Sequence, residues 1–224
     1  MIVLVGGEKG GTGKTTLATT LAAARAGSGR DVLLVDTDRQ GSASHWATVR
    51  DEVVATGTAL PSVPCVQVFG KAVARQVSDL AERYADVVVD AGGRDSVELR
   101  SAMVVADVLY VPVQASQFDV WTLEQMDELV GQASAINPTL RAAVVFNRAS
   151  THPRVREAEE AEGLVAEFEH LTLSGVVLRD RIAFRRAGSL GRSVLELDDP
   201  DARASAEAAA WYTSVYGETL TSTS

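Results

Sequence analysis

Short apolar runs alternate with longer amphipathic stretches along the chain. Most of the short runs are unbroken Val, Leu and Ile without polar alternation, which is typical of strands buried on both faces of a parallel sheet. They predict strands at residues 2–5, 31–36, 66–69, 86–91, 107–113, 141–147 and 174–178. The amphipathic stretches predict helices at about 14–26, 71–84, 96–105, 118–136, 153–169 and 203–216.

This alternation of strands and helices predicts the fold class. Successive βαβ units build an α/β fold with a single doubly wound, mostly parallel sheet flanked by helices. No linker is long enough to separate two folded units, so we expect residues 1–224 to form a single domain, with about 217–224 as a flexible tail. Trp46, Trp121 and Trp211 are expected to be wholly or partly buried.

Amino-acid composition indicates the cellular compartment in which the protein works. Hydrophobic residues make up 46% and charged residues 23% of the 224 residues, as in ordinary soluble proteins. The single cysteine, Cys65, cannot form an internal disulfide and favours a reducing cytosol. No apolar run approaches the length of a bilayer, and the acidic, Ala-rich C-terminal segment is unlike a basic membrane-binding helix. We therefore expect a cytoplasmic protein without membrane attachment.

The segment after the first strand, GGEKGGTGKTT, has the composition of a phosphate loop. Lys14 can reach terminal phosphates, and the Thr15 hydroxyl can ligate Mg²⁺. Lys9 is not required by this chemistry, and Glu8 stands where the general pattern has a glycine. The glycines that let successive N–H groups turn toward one anion are Gly10, Gly11 and Gly13.

Carboxylates follow two of the predicted strands. Asp36 and Asp38 come after the second strand, and Asp90 ends the fourth. Ligands of open α/β sheets bind beyond the carboxyl ends of the strands. A lone Asp there is more often a helix N-cap, but the neighbouring phosphate loop favours a role near Mg²⁺ for Asp36 and Asp90. Spacing alone does not distinguish Asp36 from Asp38.

The motifs KGGTGKTT, VLLVDTDRQGSAS and VVVDAGG resemble, in order and spacing, those of the ParA/MinD family of deviant-Walker ATPases. The resemblance covers nearly the whole chain and is closest to short ParA-type partition ATPases without an N-terminal DNA-binding domain. It implies a P-loop NTPase fold, with ATP and Mg²⁺ as cofactors. One departure is DAGG in place of the commoner Asp-Thr-Pro-type segment. It leaves open whether the following Arg94 senses phosphate or pairs with Asp95.

The resemblance also implies roles for individual residues. Lys9 matches the signature lysine, which contacts the phosphates bound by the other subunit of an ATP-sandwich dimer, whereas Lys14 serves the phosphates of its own chain. Asp38 matches the residue that positions the hydrolytic water. The implied catalytic residues are thus Lys9, Lys14 and Asp38. The groups implied around Mg²⁺ are Thr15 and, through water, Asp36 and Asp90.

The resemblance also implies a set of nucleotide-binding residues. All but one lie in the phosphate loop and the start of the helix that follows it. Asn147 lies where the family often has an adenine contact, and an amide can donate and accept at once. A turn-forming Asn at a strand end is an equal alternative. The full implied set is Lys9, Gly10, Gly11, Thr12, Gly13, Lys14, Thr15, Thr16 and Asn147.

An arginine-rich stretch, RDRIAFRRAGSLGR, stands out in a chain of net charge −9. Arginines spaced along a helix can contact DNA phosphates of any sequence, whereas the alternative is a solvated face that pairs with nearby acids. The acidic balance makes nucleotide-gated DNA binding more plausible than constant binding. The stretch contains a single acidic residue, Asp180. The candidate DNA-binding residues are its five arginines, Arg179, Arg181, Arg185, Arg186 and Arg192.

Taken with these features, the resemblance implies a ParA-type partition ATPase that hydrolyses ATP weakly without its partner. Its ATP-bound homodimer is expected to bind DNA non-specifically and to associate with the nucleoid. A ParB-like or other small centromere-binding activator would stimulate hydrolysis and so drive plasmid or chromosome segregation. The alternatives are a related ATPase that positions a protein cargo, a metabolic P-loop ATP-dependent ligase or amidase, or a nucleotide-gated interaction module that does not bind DNA.

Overall fold

The computed structural model describes residues 1–93, 95–114, 120–152 and 163–220. Its strands form one seven-stranded sheet with the order β3-β2-β4-β1-β5-β6-β7, in which all neighbours pair in parallel. The predicted α/β fold with a doubly wound sheet is confirmed. The strands are β1 (Ile2–Gly7), β2 (Val32–Asp36), β3 (Cys65–Gln67), β4 (Asp86–Gly93), β5 (Val108–Val113), β6 (Arg141–Ala149) and β7 (Thr172–Arg179).

Helices cover both faces of the sheet. No helix in the described ranges is long and apolar enough to cross a bilayer. Arg94, residues 153–162 of one predicted helix and the end of the predicted tail, 221–224, lie outside the described residues. The helices are α1 (Lys14–Gly27), α2 (Ser42–Ala55), α3 (Val73–Ala81), α4 (Val97–Met103), α5 (Val120–Ser134), α6 (Ile182–Ser189) and α7 (Ala202–Tyr216), with 3-10 turns at Gly70–Ala72 and Val194–Glu196.

Two hydrophobic cores separate the helices by face. One core joins α1, α2, α6 and α7 to the sheet and contains Trp46 and Trp211, whose expected burial is confirmed. The other core joins α3, α4 and α5 to the opposite face. The expected burial of Trp121 is wrong, since its side chain is 66% exposed. It lies in the first turn of α5, which buries Leu123 and Met126 on its other side.

The register of the sheet brings the strand-end carboxylates together. Asp36 at the end of β2 lies directly opposite Asp90 in β4, and Asp90 lies opposite Val5 in β1. Because all these strands are parallel, the loops that follow them leave the sheet at the same edge. The phosphate loop after β1 and the two acidic strand ends therefore meet there.

Helix α2 was not predicted from the sequence. Its buried residues follow helical spacing, but the fourth buried position is a charged residue, which interrupts the hydrophobic pattern. These residues are Ala43, Trp46, Ala47 and Arg50. A pattern that relies on apolar side chains alone does not identify a helix of this kind.

Arg50 is fully buried and joins α2 to the turn between α6 and α7. Its guanidinium donates to both carboxylate oxygens of Glu196, at 2.9 and 2.7 Å, and to the carbonyls of Pro61 and Gly191 at 3.0 Å. The Trp46 indole N–H donates to the carbonyl of Arg192 at 3.3 Å. A buried charge is tolerated only when it is paired and hydrogen-bonded in this way.

Glu196→Gln is expected to lower the free energy of unfolding by about 3 kcal/mol, because it leaves the buried Arg50 charge uncompensated. Urea denaturation measures this difference. The matched control is Asp95→Asn, which breaks an ion pair with Arg100 in which both side chains are well exposed. The control should cost less than about 1 kcal/mol. Equal losses in the two variants would contradict the structural importance of the Arg50–Glu196 pair.

Candidate functional site

The loop between β1 and α1 has the geometry of an anion cradle. Gly11 and Gly13 have φ of 77° and 89°, a left-handed conformation that favours glycine. Gly13 precedes α1 without a side-chain cap, so the first N–H groups of the helix remain available to an anion. A Cβ at Gly13 would overlap the Asn147 amide. Glycine is therefore required at this position by both backbone conformation and space.

Lys14 begins α1 and lies against its own loop. Its ammonium donates to the carbonyl of Lys9 at 2.6 Å, and the residue is only 7% exposed. Burial lowers the pKa of Lys14, while the nearby Asp90 and Asp38 oppose that shift. Gly93 approaches so closely that a Cβ there would lie 3.2 Å from the Lys14 ammonium. The loop thus holds a desolvated cation where a terminal phosphate would need it.

Asp90 is the most perturbed group of the site. One carboxylate oxygen accepts the Thr15 hydroxyl at 2.7 Å, and the other is buried without a hydrogen-bond partner. Burial, with Asp36 and Asp38 adding to it, raises the pKa of Asp90 to about 7 against the opposing effects of Thr15 and Lys14. An orphaned carboxylate oxygen beside a hydroxyl fits a hydrated Mg²⁺, which prefers oxygen ligands and keeps several waters.

Asp36 and Asp38 have different surroundings. Asp36 is fully buried, and its oxygens accept the backbone N–H of Asp38 at 3.0 Å and the N–H and hydroxyl of Ser44 at 2.9 and 2.8 Å. Asp38 is half-buried and accepts the N–H of Gln40 at 3.0 Å. Asp36 therefore organises the loop into α2, whereas Asp38 retains a more accessible carboxylate.

The glycines of the DAGG segment lie between Asp38 and Lys14. A Cβ at Gly92 would lie 3.2 Å from the Asp38 carboxylate, and one at Gly93 would lie 3.1 Å from the backbone nitrogen of Gly10. Both distances are tighter than ordinary van der Waals contact. The glycines of DAGG, which replace the commoner Asp-Thr-Pro-type segment, therefore have a steric role. Because they have no side chains, the end of β4 can lie close to the phosphate loop.

Asn147 lies at the end of β6 beside the phosphate loop. It is 5% exposed, and its amide N–H donates to the carbonyl of Thr12 at 2.7 Å. Asn147 lines a cavity of about 150 Å³ together with Gly13, Thr16 and Phe184. The cavity opens next to the N-terminus of α1, where a group attached to a bound phosphate could extend.

The arginine stretch has more acidic neighbours in space than in sequence. Arg181 and Arg192 have side chains that are only 13% exposed, whereas those of Arg185 and Arg186 are 59% and 53% exposed. The bonds to Glu207 raise the pKa of Arg181. The carboxylate partners are Glu207 for Arg179 and Arg181, Asp180 for Arg185, Asp199 for Arg186 and Asp198 for Arg192.

Three polar residues contact this site although the sequence did not single them out. Ser44 holds Asp36, and Gln114 and Arg148 donate to the carbonyl of Gly11 in the phosphate loop. Ser44 stands in an unpredicted helix, and Gln114 follows β5 directly. Arg148 follows the strand-end Asn147, and that neighbour is the one sequence signal that could have drawn attention to it.

Comparisons with known proteins agree with this geometry. Residues 3–206 match the family described as CobQ/CobB/MinD/ParA nucleotide binding domain, which confirms the resemblance. The chain is 30% identical to maintenance of carboxysome distribution protein A of Halothiobacillus neapolitanus, over 84% of each chain. It is 25% identical to the chromosome partitioning protein ParA of Caulobacter vibrioides, over 88% of this chain and 87% of that protein.

Among solved structures, the fold is similar to that of the septum site-determining protein MinD from Pyrococcus horikoshii, solved with Mg-ADP. The TM-score is 0.71 at 19% identity, and the match covers 96% of this chain and 95% of that one. A likeness at this identity bears on the fold alone. It agrees with the parallel sheet flanked by helices.

Asp90→Asn is expected to stabilise the nucleotide-free protein, and the gain should depend on pH. The native carboxyl has a pKa of about 7 against 3.8 for an ordinary Asp, so the native state keeps a proton that the unfolded state releases. Stability of the wild type therefore falls as the pH rises between these values, by at most about 4 kcal/mol. Asn carries no such penalty.

Thermal unfolding of both proteins without nucleotide or Mg²⁺, at about pH 5 and about pH 8, measures this effect. The advantage of Asp90→Asn should be small at the lower pH and larger at the higher pH. Asp31→Asn, at an exposed position before β2, is the matched control. An advantage that does not change with pH, or that shrinks as the pH rises, would contradict the burial of an ionisable Asp90.

Proposed function

Because the chain belongs to the CobQ/CobB/MinD/ParA family of nucleotide-binding domains, we propose that it is an ATP- and Mg²⁺-dependent ATPase that acts as a nucleotide switch. The ATP-bound form dimerises and binds DNA without sequence preference, and hydrolysis to ADP and phosphate releases it. The observation that carries this proposal is the orphaned oxygen of Asp90 beside Thr15, next to a loop that contains both Lys9 and Lys14.

The phosphates are bound by residues of the loop and of the first turn of α1. The Lys14 ammonium exchanges the Lys9 carbonyl for phosphate oxygens, which offer a stronger, charge-assisted hydrogen bond. Thr15 and, through water, Asp36 and Asp90 would hold Mg²⁺, and Asp36 also keeps the adjoining loop in place through Ser44. When bound, Mg²⁺ neutralises charge on the terminal phosphates.

Asp38 is the group best suited to orient the attacking water. Its carboxylate is half-buried, near Lys14 and Asp90, and it is not enclosed by side-chain hydrogen bonds as Asp36 is. The water attacks the terminal phosphorus, the bond to the bridging oxygen breaks, and ADP leaves as the proton passes toward Asp38. Hydrolysis is expected to be slow until an activator supplies a further group that stabilises the transition state.

Lys9 supplies the link between nucleotide and dimer. It is only half-buried, although its backbone carbonyl holds Lys14. The position of Lys9 matches the signature lysine of the ParA/MinD family, which contacts the phosphates bound by the other subunit of an ATP-sandwich dimer. We therefore assign Lys14 to the nucleotide of its own chain and Lys9 to that of the partner subunit, so that dimerisation depends on the terminal phosphate.

DNA binding is assigned to the arginine surface around α6. Arg185 and Arg186 are its most exposed cations, and Arg179 is also well exposed. Arg181 and Arg192 have side chains that are only 13% exposed and pair with Glu207 and Asp198, so they contribute less to this surface. Because each cation has a carboxylate nearby and the chain carries a net charge of −9, one subunit binds weakly, and a dimer with two such surfaces binds better.

The cargo of the switch has two candidates. Similarity to a chromosome partitioning ParA supports segregation of a plasmid or chromosome, with a ParB-like or other small centromere-binding protein as activator. Similarity to a carboxysome distribution protein supports a protein assembly as cargo. Both use the same nucleotide-gated binding to DNA in this proposal, so they differ in the activator and not in the ATPase.

DNA binding by the wild type should be tight with ATP–Mg²⁺, weak with ADP–Mg²⁺ and sensitive to salt, because it rests on interactions with phosphates. The double variant Arg185→Ala/Arg186→Ala should weaken the ATP-dependent binding about tenfold. Its salt slope should be lower by about 1 for each DNA phosphate that the variant no longer neutralises. Fluorescence anisotropy of a labelled random-sequence duplex measures both quantities.

The matched control replaces Arg75 and Arg83, which are exposed on and just after α3, on the opposite face of the sheet. This control should bind DNA as the wild type does. Equal loss in both double variants would show that the effect comes from net charge alone. No binding by the wild type with either nucleotide would refute the proposed DNA-gated switch.

A further inference from the structure

Arg148 has a strained backbone next to the phosphate loop. Its φ is 53°, and among the described residues it is the only non-glycine residue with a positive φ. It stands at an irregularity in β6, where the register with β7 shifts between Phe146 and Ala149. Strain of this kind persists only where the surrounding structure maintains it, and it concentrates at functional sites.

The irregularity allows two consecutive side chains to reach the same loop. In a regular strand, residues 147 and 148 would point to opposite faces of the sheet. Here the Asn147 amide donates to the Thr12 carbonyl at 2.7 Å, and the Arg148 guanidinium donates to the Gly11 carbonyl at 2.8 Å. The left-handed residue thus turns a second donor toward the phosphate loop.

A further donor reaches Gly11 from the neighbouring strand. Gln114 directly follows β5, and its amide N–H donates to the same carbonyl at 2.9 Å. An anion cradle requires N–H groups that face inward, so its carbonyls must face outward. Two donors from the ends of β5 and β6 hold one such carbonyl outward. We call this pair of donors, Gln114 and Arg148, the Gly11 latch.

Packing does not replace this latch at the tip of the loop. Gly10 and Gly11 are exposed, and a Cβ built on either would have no atom within 4 Å. Gly13, by contrast, is enclosed by Asn147. Besides the close approach of Gly93 to Gly10, the tip is therefore held by hydrogen bonds from side chains to its carbonyls.

Arg148 is itself oriented from the other side. Its Nε lies 3.7 Å from the Asp180 carboxylate, which also accepts a hydrogen bond from Arg185 at 2.8 Å. The Arg148 side chain is 43% exposed, so the bond to Gly11 competes with water and gains from this second anchor. Asp180 thereby keeps the donor within reach of the loop.

We propose that Gln114 and Arg148 are positioning residues for the nucleotide, because together they hold the phosphate loop in its anion-binding conformation through the Gly11 carbonyl. The backbone strain at Arg148 is the conformational cost of this contact. The proposal rests on the proposed function for the identity of the ligand. The order of the loop in the nucleotide-free protein does not depend on that identity.

The test uses Arg148→Gly, which removes the donor and also relieves the strained φ, since glycine adopts this conformation freely. Thermal stability should therefore be retained or raised. The backbone NMR order parameters of residues 9–13 in the nucleotide-free protein should fall from about 0.85 to below about 0.6. The affinity for ADP–Mg²⁺ by calorimetry should fall about fivefold. If Arg148 contributed only to overall stability, its replacement would lower thermal stability, loop order and ADP–Mg²⁺ affinity together.

Further variants define the latch. Arg148→Lys keeps a donor and should retain the wild-type order parameters of the loop. Arg141→Ala, at the far end of β6, is the control. Gln114→Ala alone should have a small effect because Arg148 still donates. Gln114→Ala combined with Arg148→Gly should exceed the sum of the two single effects, since the shared acceptor then has no donor.

Unchanged order parameters in Arg148→Gly and in the double variant would overturn the proposal, as would an Arg148→Lys variant whose loop is as mobile as that of Arg148→Gly. If the wild type failed to bind ADP–Mg²⁺, the proposed function would fail. The order parameters of the nucleotide-free proteins would still decide whether the latch orders the loop.

Discussion

The hydrogen bond from the Thr15 hydroxyl to the Asp90 carboxylate joins the two halves of the site. It ties the first turn of α1 to the end of β4, and the parallel register already places Asp90 opposite Asp36. The phosphate loop, the loop into α2 and the glycines after β4 all meet around this bond. Its position follows from strand order, because only parallel neighbours deliver their following loops to one edge of the sheet.

The surroundings of this bond favour ligand binding over the stability of the ligand-free protein. Asp90 keeps a buried oxygen without a partner, and burial raises its pKa while it lowers that of Lys14. Lys14 meanwhile uses a backbone carbonyl of its own loop as acceptor. Opposite charges held in a desolvated site are costly until a polyanion and its cation bind, so ligand binding should stabilise the fold.

The sequence predicted the parts of the structure that depend on local pattern. Apolar runs located the strands, and their parallel arrangement predicted that Asp36 and Asp90 would meet. Helix α2 was missed because Arg50 occupies a buried position, and the exposure of Trp121 depends on which side of α5 faces the core. Contacts between residues far apart in the sequence could not be predicted from local pattern either. Glu207 and Asp199 lie beyond the arginine stretch in sequence, and the left-handed Arg148 leaves no compositional signal.

In the proposed dimer, the two lysines of one loop serve phosphates in different subunits. Sedimentation velocity of wild type and Lys9→Ala, each with ATP–Mg²⁺ and with ADP–Mg²⁺, is the measurement to make first. We expect a dimer only for the wild type with ATP, and a Lys9→Ala protein that still binds ATP but remains a monomer. A Lys9→Ala protein that dimerises with ATP as the wild type does would refute the assignment of Lys9 to the partner's phosphates.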